Sequence, residues 1–363
     1  MRTLDFLLDK LYKNNELSRE ELLYVLDNLD DAHTEKLFEY ARKTRDRYYG
    51  NRVYMRGLIE FSNVCRMNCM YCGIRAGNKK VERYRLTPEQ ILDCCRVGYA
   101  LGYRTFVLQS GEDLWYTVDK LEYIIAEIKK LFPGVAVTLS IGEKSEDEYR
   151  AFFEAGADRY LLRHETASRA LYEKLHPGAS FDNRINCLKT LKKIGYQVGA
   201  GFMVGLPGQT NEDLVEDLLF LKELNPHMIG IGPFIPHQET PLWGSKGGTV
   251  EDTLVMLALT RLMVPDCLLP ATTAMGTLHP TGRERALLAG ANVVMPNLSP
   301  TVVRAKYELY PNKICTGDEA AECRNCIERR IRSIGMDIDM GRGDHCKMQD
   351  VGIINALNVN DNY

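Results

Sequence analysis

The chain has 363 residues, enough for about two ordinary domains or for one α/β barrel of roughly 250 residues with additions. Hydrophobic residues make up 45% and charged residues 26%, a balance that excludes a disordered or collagen-like chain. The 46 basic and 49 acidic residues leave a net charge of −3, so no positive field exists for a polyphosphate backbone and nucleic acid is not an expected partner.

Residues 1–21 mix Arg2, Asp5, Asp9, Lys10 and Lys13 with short apolar clusters and show no signal-peptide pattern. The most apolar stretch, Leu254 to Leu269, is broken by Arg261, Pro265 and Asp266. No membrane span is expected, and the protein reads as cytoplasmic. Eleven cysteines without a secretory pattern then read as reduced thiols, some of them available to metal.

Residues 1–50 carry apolar positions at helical spacing (Leu17, Leu22, Leu23, Val25, Leu26, Leu29), with Ser18 and Glu21 as a capping box. They predict a helical N-terminal extension. Eight β-branched or apolar runs follow: Val53–Phe61, Thr105–Gln109, Val135–Ser140, Arg159–Arg163, Gln197–Val204, Met228–Gly232, Leu268–Thr273 and Asn292–Met295. Helical stretches lie between them, at Pro88–Tyr99, Asp119–Leu131, Glu146–Ala155, Arg184–Ile194, Glu212–Leu224, Glu251–Met263 and Gly282–Ala289. This alternation predicts an α/β fold with a (β/α)8 TIM-type barrel over residues 51–300; an open doubly wound sheet is the competing architecture. Residues 301–363 form a cysteine-bearing C-terminal segment expected to pack on the barrel, with a polar, Asn-rich tail, Gln349–Tyr363, expected to be poorly ordered.

Directly after the first strand come Cys65, Cys69 and Cys72, a C-x3-C-x2-C loop with Tyr71 before the last cysteine. Zinc usually takes four protein ligands, and no fourth Cys or His lies nearby. Three thiolates suit a 4Fe-4S cluster with one iron left open to a small chelating molecule. A zinc loop completed from a distance, or three buried thiols, is the other reading. Gln109-Ser110-Gly111-Glu112 ends the second strand, and Gly199–Gln209, with Met203 and Asn211 as a helix cap just beyond, follows the fifth. The glycines there would let a flat ring approach the backbone, or would simply serve a strand–turn–helix junction. Arg163 and Glu165 project to one side of an extended chain, as a binding pair or a structural ion pair.

The cysteine spacing resembles the signature of the radical S-adenosylmethionine (SAM) superfamily. That resemblance implies that SAM chelates the fourth iron and is cleaved reductively to a 5′-deoxyadenosyl radical. Segments along the barrel, including Ile59–Cys65, Val107–Asp113, Tyr160–Thr166, Val204–Thr210, Ile231–His237 and Pro270–Gly276, resemble within it the HydE family of iron–iron hydrogenase maturases, of the biotin-synthase-like group. The resemblance implies that Tyr71, Gln109, Ser110, Gly111, Glu112, Thr138, Ser140, Glu165 and Arg184 surround SAM. It further implies that Arg163, Thr272 and Thr273 face the substrate, a cysteine-bound Fe(CO)2(CN) synthon whose sulfur the radical attacks. Met203, Met295, Tyr307 and Tyr310 are candidates, from their polarizable or aromatic side chains, for the walls around SAM and the substrate. Met228 is a further candidate for the wall. Implied partners are a tyrosine-cleaving radical SAM maturase, a GTPase scaffold and a low-potential electron donor. Methylornithine synthase, biotin synthase and a non-catalytic iron–sulfur scaffold are the alternatives.

Cys315, Cys323 and Cys326 form a second set, read as an auxiliary 2Fe-2S or 4Fe-4S site, or as structural zinc with Cys346 as fourth ligand. Cys94, Cys95, Cys187 and Cys267 read as buried small side chains. His164, His237 and His279 have no partner that spacing identifies, which leaves hydrolytic catalysis unsupported.

Overall fold

The computed structural model describes residues 3–348; the Asn-rich tail lies outside them. Three helices come first, α1 (Leu4–Asn14), α2 (Arg19–Asn28) and α3 (Asp31–Tyr49). The Ser18–Glu21 capping box is present at the start of α2. The barrel elements follow as β1 (Arg52–Met55), β2 (Gly57–Ser62), α4 (Pro88–Ala100), β3 (Thr105–Ser110), α5 (Val118–Leu131), β4 (Ala136–Ser140), α6 (Glu146–Glu154), β5 (Arg159–Leu161), α7 (Arg169–Leu175), α8 (Phe181–Ile194), β6 (Gln197–Ala200), β7 (Met203–Val204), α9 (Asn211–Leu224), β8 (Met228–Ile229), β9 (Gly232–Pro233), α10 (Val250–Met263), α11 (Thr273–Leu278), α12 (Gly282–Leu288) and β10 (Val293–Val294). The chain ends with α13 (Thr301–Arg304), α14 (Ala320–Ser333) and β11 (Asp337–Asp339).

The strands close into an eight-stave parallel barrel. β2, β3, β4, β5, β6 and β8 pair in that order. Bridges Met228–Leu268 and Pro270–Val293 carry the sheet through the seventh stave to the eighth, and β1–β10 pairing with the Leu58–Asn297 bridge returns it to the first. The predicted first strand breaks at Arg56, so that β1 and β2 pair with different neighbours. The seventh stave is shorter than predicted, because Thr272 caps α11 and Thr273 already lies within that helix. At α9 the cap is Thr210, not Asn211: the Thr210 hydroxyl accepts from the Asp213 amide, and Asn211 is the first helical residue.

Side-chain alternation sorts the barrel into two layers. Ile59, Phe61, Phe106, Leu108, Val137, Leu139, Tyr160, Val198 and Ile229 point outward into the core beneath the helices. Their neighbours Leu58, Glu60, Gln109, Ser140 and Leu161 point into the lumen and line its upper cavity. α10, the most apolar helix, is buried on nearly all sides because α3, α9 and α1 cover its outer face. Arg261, which seemed to interrupt this stretch, is itself fully buried; its guanidinium donates to the carbonyls of Gly290, Pro265 and Cys267 and to Asn292, splicing α10 to the last two staves. No helix among the described residues is long and apolar enough to cross a membrane.

The C-terminal chain closes the lower mouth of the barrel, a feature the sequence did not announce. β11 adds to β1 in parallel register, Val53 opposite Ile338. Residues beyond it then enter the lumen: the Arg342 carbonyl accepts from Thr105 and Arg159, the Gly343 carbonyl from Arg56, and Asp344 pairs with Arg159 at 2.5 Å.

Candidate active site

The loop between β2 and α4 has no helix or extended ladder, so side chains and scattered backbone hydrogen bonds fix its path. Arg83 alone donates to the carbonyls of Asn63, Ile74, Arg75 and Asn78, and Asn63 donates to those of Glu82 and Lys306. The effect is to wrap residues 63–83 around their own backbone and present Cys65, Cys69 and Cys72, all half-buried, to the upper lumen. Burial, and then the charge of Cys65, pushes the Cys69 thiol up to about 12; burial also raises Cys65 and Cys72.

The three sulfurs are neighbours without converging on a point. Among the described residues only Asp266, His345 and Cys346 bring three ligand atoms within 4.8 Å of one another. A tetrahedral zinc ion needs sulfurs about 3.8 Å apart at its Zn–S bond length. The first triad is not drawn together to that degree, and its three cysteines share the wall of one cavity.

Opposite the thiols lies a cavity of about 380 Å³, the size of a small-molecule site. Tyr71, Gln109, Ser110, Gly111, Glu112, Ser140, Arg163, Glu165, Arg184, Met203, Met295, Thr272, Thr273, Tyr307 and Tyr310 all line it. Thr138 does not. It points inward two residues below Ser140, fully buried, one layer deeper in the barrel, and its hydroxyl has no hydrogen-bond partner there. Met228 likewise lies below the cavity, against the Arg56 guanidinium.

Each wall is held from behind. The Tyr71 hydroxyl meets His176 Nε2 at 2.9 Å, and His176 Nδ1 meets the Tyr172 carbonyl at 2.8 Å, so Nδ1 carries the proton and Nε2 accepts from Tyr71. Burial keeps this imidazole neutral, down to about 4. Glu112 accepts from the Glu143 amide and pairs with Arg66 at 3.1 Å. Arg184 donates to Glu143 and to the Arg163 carbonyl, both at 2.6 Å.

Arg163 Nη2 stands 3.0 Å from Glu165 Oε2, but at an angle that makes no hydrogen bond. Arg163 Nε and Nη2, Glu165 Oε2 and Thr272 Oγ1 are thus buried with unspent bonding capacity, and the three residues border the same space. Glu165 also has φ of 67°, a left-handed conformation costly for a residue with a side chain. Unspent polar groups on a strained wall are what a polar ligand would satisfy.

Of the Gly199–Gln209 segment, only Met203 reaches the cavity. A Cβ on Gly201 would lie 2.0 Å from the Gly230 carbonyl oxygen, so that glycine serves stave packing. Gly230, Gly232, Pro233, Phe234 and Ile235, after the sixth stave, do line the cavity. Glu60 and Lys313 also line it and were not predicted as site residues: Glu60 lies in a segment that carried the resemblance but was given no role there, Lys313 lies in none, and their pairing joins residues 253 apart in sequence.

His164, which had no partner by spacing, faces Asp217 at 3.1 Å, both fully buried and outside the cavity. Cys94, Cys95, Cys187 and Cys267 are buried as expected. Cys315 and Cys323 lie side by side, and Arg283 donates to the Cys315 sulfur at 3.2 Å; a hydrogen bond from Cys323 lowers Cys315 and raises Cys323 in turn. Cys346 is at the other end of the barrel, beside Asp266, His345 and Tyr49. The four-cysteine zinc reading therefore loses its fourth ligand.

Comparison with known proteins agrees with this geometry. Residues 59–221 match the family model described as the radical SAM superfamily. The chain is 53% identical over 329 residues to the FeFe hydrogenase maturase subunit HydE of Thermotoga maritima, covering 91% of this chain and 94% of that protein. It is 32% identical to the 3-methylornithine synthase of Methanosarcina acetivorans over 91% of this chain and 92% of that one. The crystal structure of methylornithine synthase superposes with a TM-score of 0.81 at 30% identity, covering 92% of this chain and 97% of the other.

Proposed function

Because the chain belongs to the radical SAM superfamily and, inside it, to the HydE family of hydrogenase maturases, we propose that it prepares a precursor of the di-iron subcluster of FeFe hydrogenase. The observation that carries this reading is the meeting, around one cavity, of three thiols with buried guanidinium, carboxylate and hydroxyl groups whose bonding capacity is unspent.

Cys65, Cys69 and Cys72 would hold a 4Fe-4S cluster, leaving one iron without a protein ligand. When bound, that cluster supplies the electron that splits SAM into methionine and a 5′-deoxyadenosyl radical. Gln109, Ser110, Gly111 and Glu112 would hold the amino end of SAM, Glu165 its ribose and Arg184 its carboxylate. Tyr71, held by His176, Ser140, Met203, Met295 and Tyr307 would wall it in. Thr138 is left out of this set because it lies below the cavity.

Arg163, Thr272, Thr273 and Tyr310 would face the substrate. An anionic, cysteine-bound Fe(CO)2(CN) synthon suits a guanidinium and two adjacent hydroxyls, which offer charge-assisted and neutral hydrogen bonds together. Its sulfur would be the target of the radical, a step that calls for a chamber poor in water. On this reading a tyrosine-cleaving radical SAM maturase supplies the synthon, a GTPase scaffold receives the product and a low-potential donor in the cytoplasm supplies electrons. Cys315, Cys323 and Cys326 would take the auxiliary 2Fe-2S or 4Fe-4S cluster.

A hydrogenase maturation assay that omits only this protein tests the role. The expected result is inactive hydrogenase, restored by adding the protein back. Hydrogenase activity that survives the omission overturns the role, and a rearranged product from lysine would assign the chain instead to the methylornithine synthase chemistry.

A further inference from the structure

Between α13 and α14, residues 305–319 run without helix or strand and pass over the cavity. Tyr307, Leu309, Tyr310 and Lys313 of this strap all line it. Without a backbone ladder, its position depends on the contacts its side chains and carbonyls make. Asn312 and Cys315, on either side of Lys313, have φ of 56° and 64°, conformations that residues with side chains keep only when their surroundings enforce them.

Lys313 supplies such an enforcement. Its ammonium donates to Glu60 Oε1 at 2.5 Å and to the Tyr307 carbonyl at 3.0 Å, and lies 5.0 Å from the centre of the Tyr307 ring. The other Glu60 oxygen accepts from Asn297 at 2.8 Å. The two side chains are only 9% and 2% exposed. A buried ion pair is seldom worth more to stability than an apolar pair of the same shape, so stability alone does not account for it. What it fixes is geometry: one carboxylate joins the end of the first stave, the end of the eighth and the strap. The strap is tied again where the Gly73 amide of the cysteine loop donates to the Leu309 carbonyl at 2.9 Å, and where Gln109 donates to the Tyr307 hydroxyl at 3.3 Å.

We propose that Glu60 and Lys313 are positioning residues that latch the roof of the cavity, holding Tyr307 and Tyr310 in place while the chemistry proposed above proceeds. The inference rests on that reading. With the latch open, the 5′-carbon radical takes a hydrogen atom from a solvent-borne thiol or C–H group, which is left as the radical, and 5′-deoxyadenosine forms without reaction at the substrate sulfur.

The test uses reconstituted holoenzyme carrying Glu60→Gln and Lys313→Met together, so that no unpaired charge stays buried, beside Lys313→Arg, which keeps the cation. Amide hydrogen exchange is followed in residues 305–315 with the peptides of α1–α3 as reference, and 5′-deoxyadenosine is counted against substrate consumed. The latch predicts roughly tenfold faster exchange confined to the strap, a ratio of deoxyadenosine to substrate raised about fivefold, and near wild-type behaviour of Lys313→Arg. Unchanged exchange in the strap with an unchanged ratio overturns it. If wild-type protein releases no methionine from SAM, the radical SAM reading fails, and the exchange comparison still decides the latch.

Discussion

A Cβ on Gly111 would lie 2.6 Å from the Cβ of Cys65 and 2.4 Å from the Val64 carbonyl oxygen. The turn after the second stave and the first cysteine of the loop are thus packed backbone against backbone. The Glu112 amide completes the contact by donating to the Cys65 sulfur at 3.4 Å. Gly111→Ala must push the cysteine loop away, because neither neighbour is a flexible side chain. We expect reconstituted iron to fall by half or more, with a loss of about 1–3 kcal/mol in stability from overpacking. Iron analysis and a chemical denaturation curve check this; full iron loading at wild-type stability would contradict it.

Arg163 and Thr272 hold unspent donors at the cavity, and neither belongs to the cysteine loop. Arg163→Gln combined with Thr272→Val should leave reductive SAM cleavage within a few-fold of wild type. Affinity for the anionic substrate should fall about tenfold or more, since a hydrogen bond to a charged group contributes about 1.5–3 kcal/mol. Substrate titrations at saturating SAM separate the two effects, and an unaltered substrate affinity would remove both residues from the substrate pocket.

His176 gives a pH dependence with a definite sign. Burial holds its folded pKa at about 4 against 6.5 for a free imidazole, so the unfolded chain binds the extra proton first as the pH falls. The stability contributed by the neutral ring is complete above pH 6.5 and drains away between 6.5 and 4, by about 1.4 kcal/mol per unit at most. Urea midpoints measured from pH 7 to 5 should fall less steeply in His176→Gln, by the equivalent of about one proton. Identical slopes would mean that His176 is not held neutral.

The separation of Cys346 from Cys315 and Cys323 makes the second cysteine site testable on its own. In a protein with Cys65, Cys69 and Cys72 all replaced by alanine, the remaining iron chromophore should disappear with Cys323→Ser and persist with Cys346→Ser. An iron-free triple variant would discard the auxiliary cluster.

The barrel was legible because buried strands and amphipathic helices alternate over most of the chain, and the cysteine loop because its ligands sit within eight residues. Motif spacing and resemblance also led to the cavity-lining residues from Tyr71 to Tyr310. Thr138 misled because alternation says which face of the sheet a residue joins, not how deep in the lumen it lies. The alternative that made Cys346 a fourth ligand fails because closeness in sequence to α14 says nothing about a chain that turns back beneath the barrel to reach Tyr49 and Asp266. Glu60–Lys313, His176 behind Tyr71 and the lower-mouth closure by residues 342–345 are long-range pairings of ordinary polar residues, for which a single sequence carries no periodic or spacing signal.

The central claim is tested most directly by anaerobically reconstituted, dithionite-reduced protein supplied with SAM, with both products quantified. Equal amounts of methionine and 5′-deoxyadenosine, abolished when any one of Cys65, Cys69 or Cys72 is replaced by alanine, are the predicted result. Protein that carries a full complement of iron yet yields neither product would contradict the account and leave a non-catalytic iron–sulfur scaffold in its place.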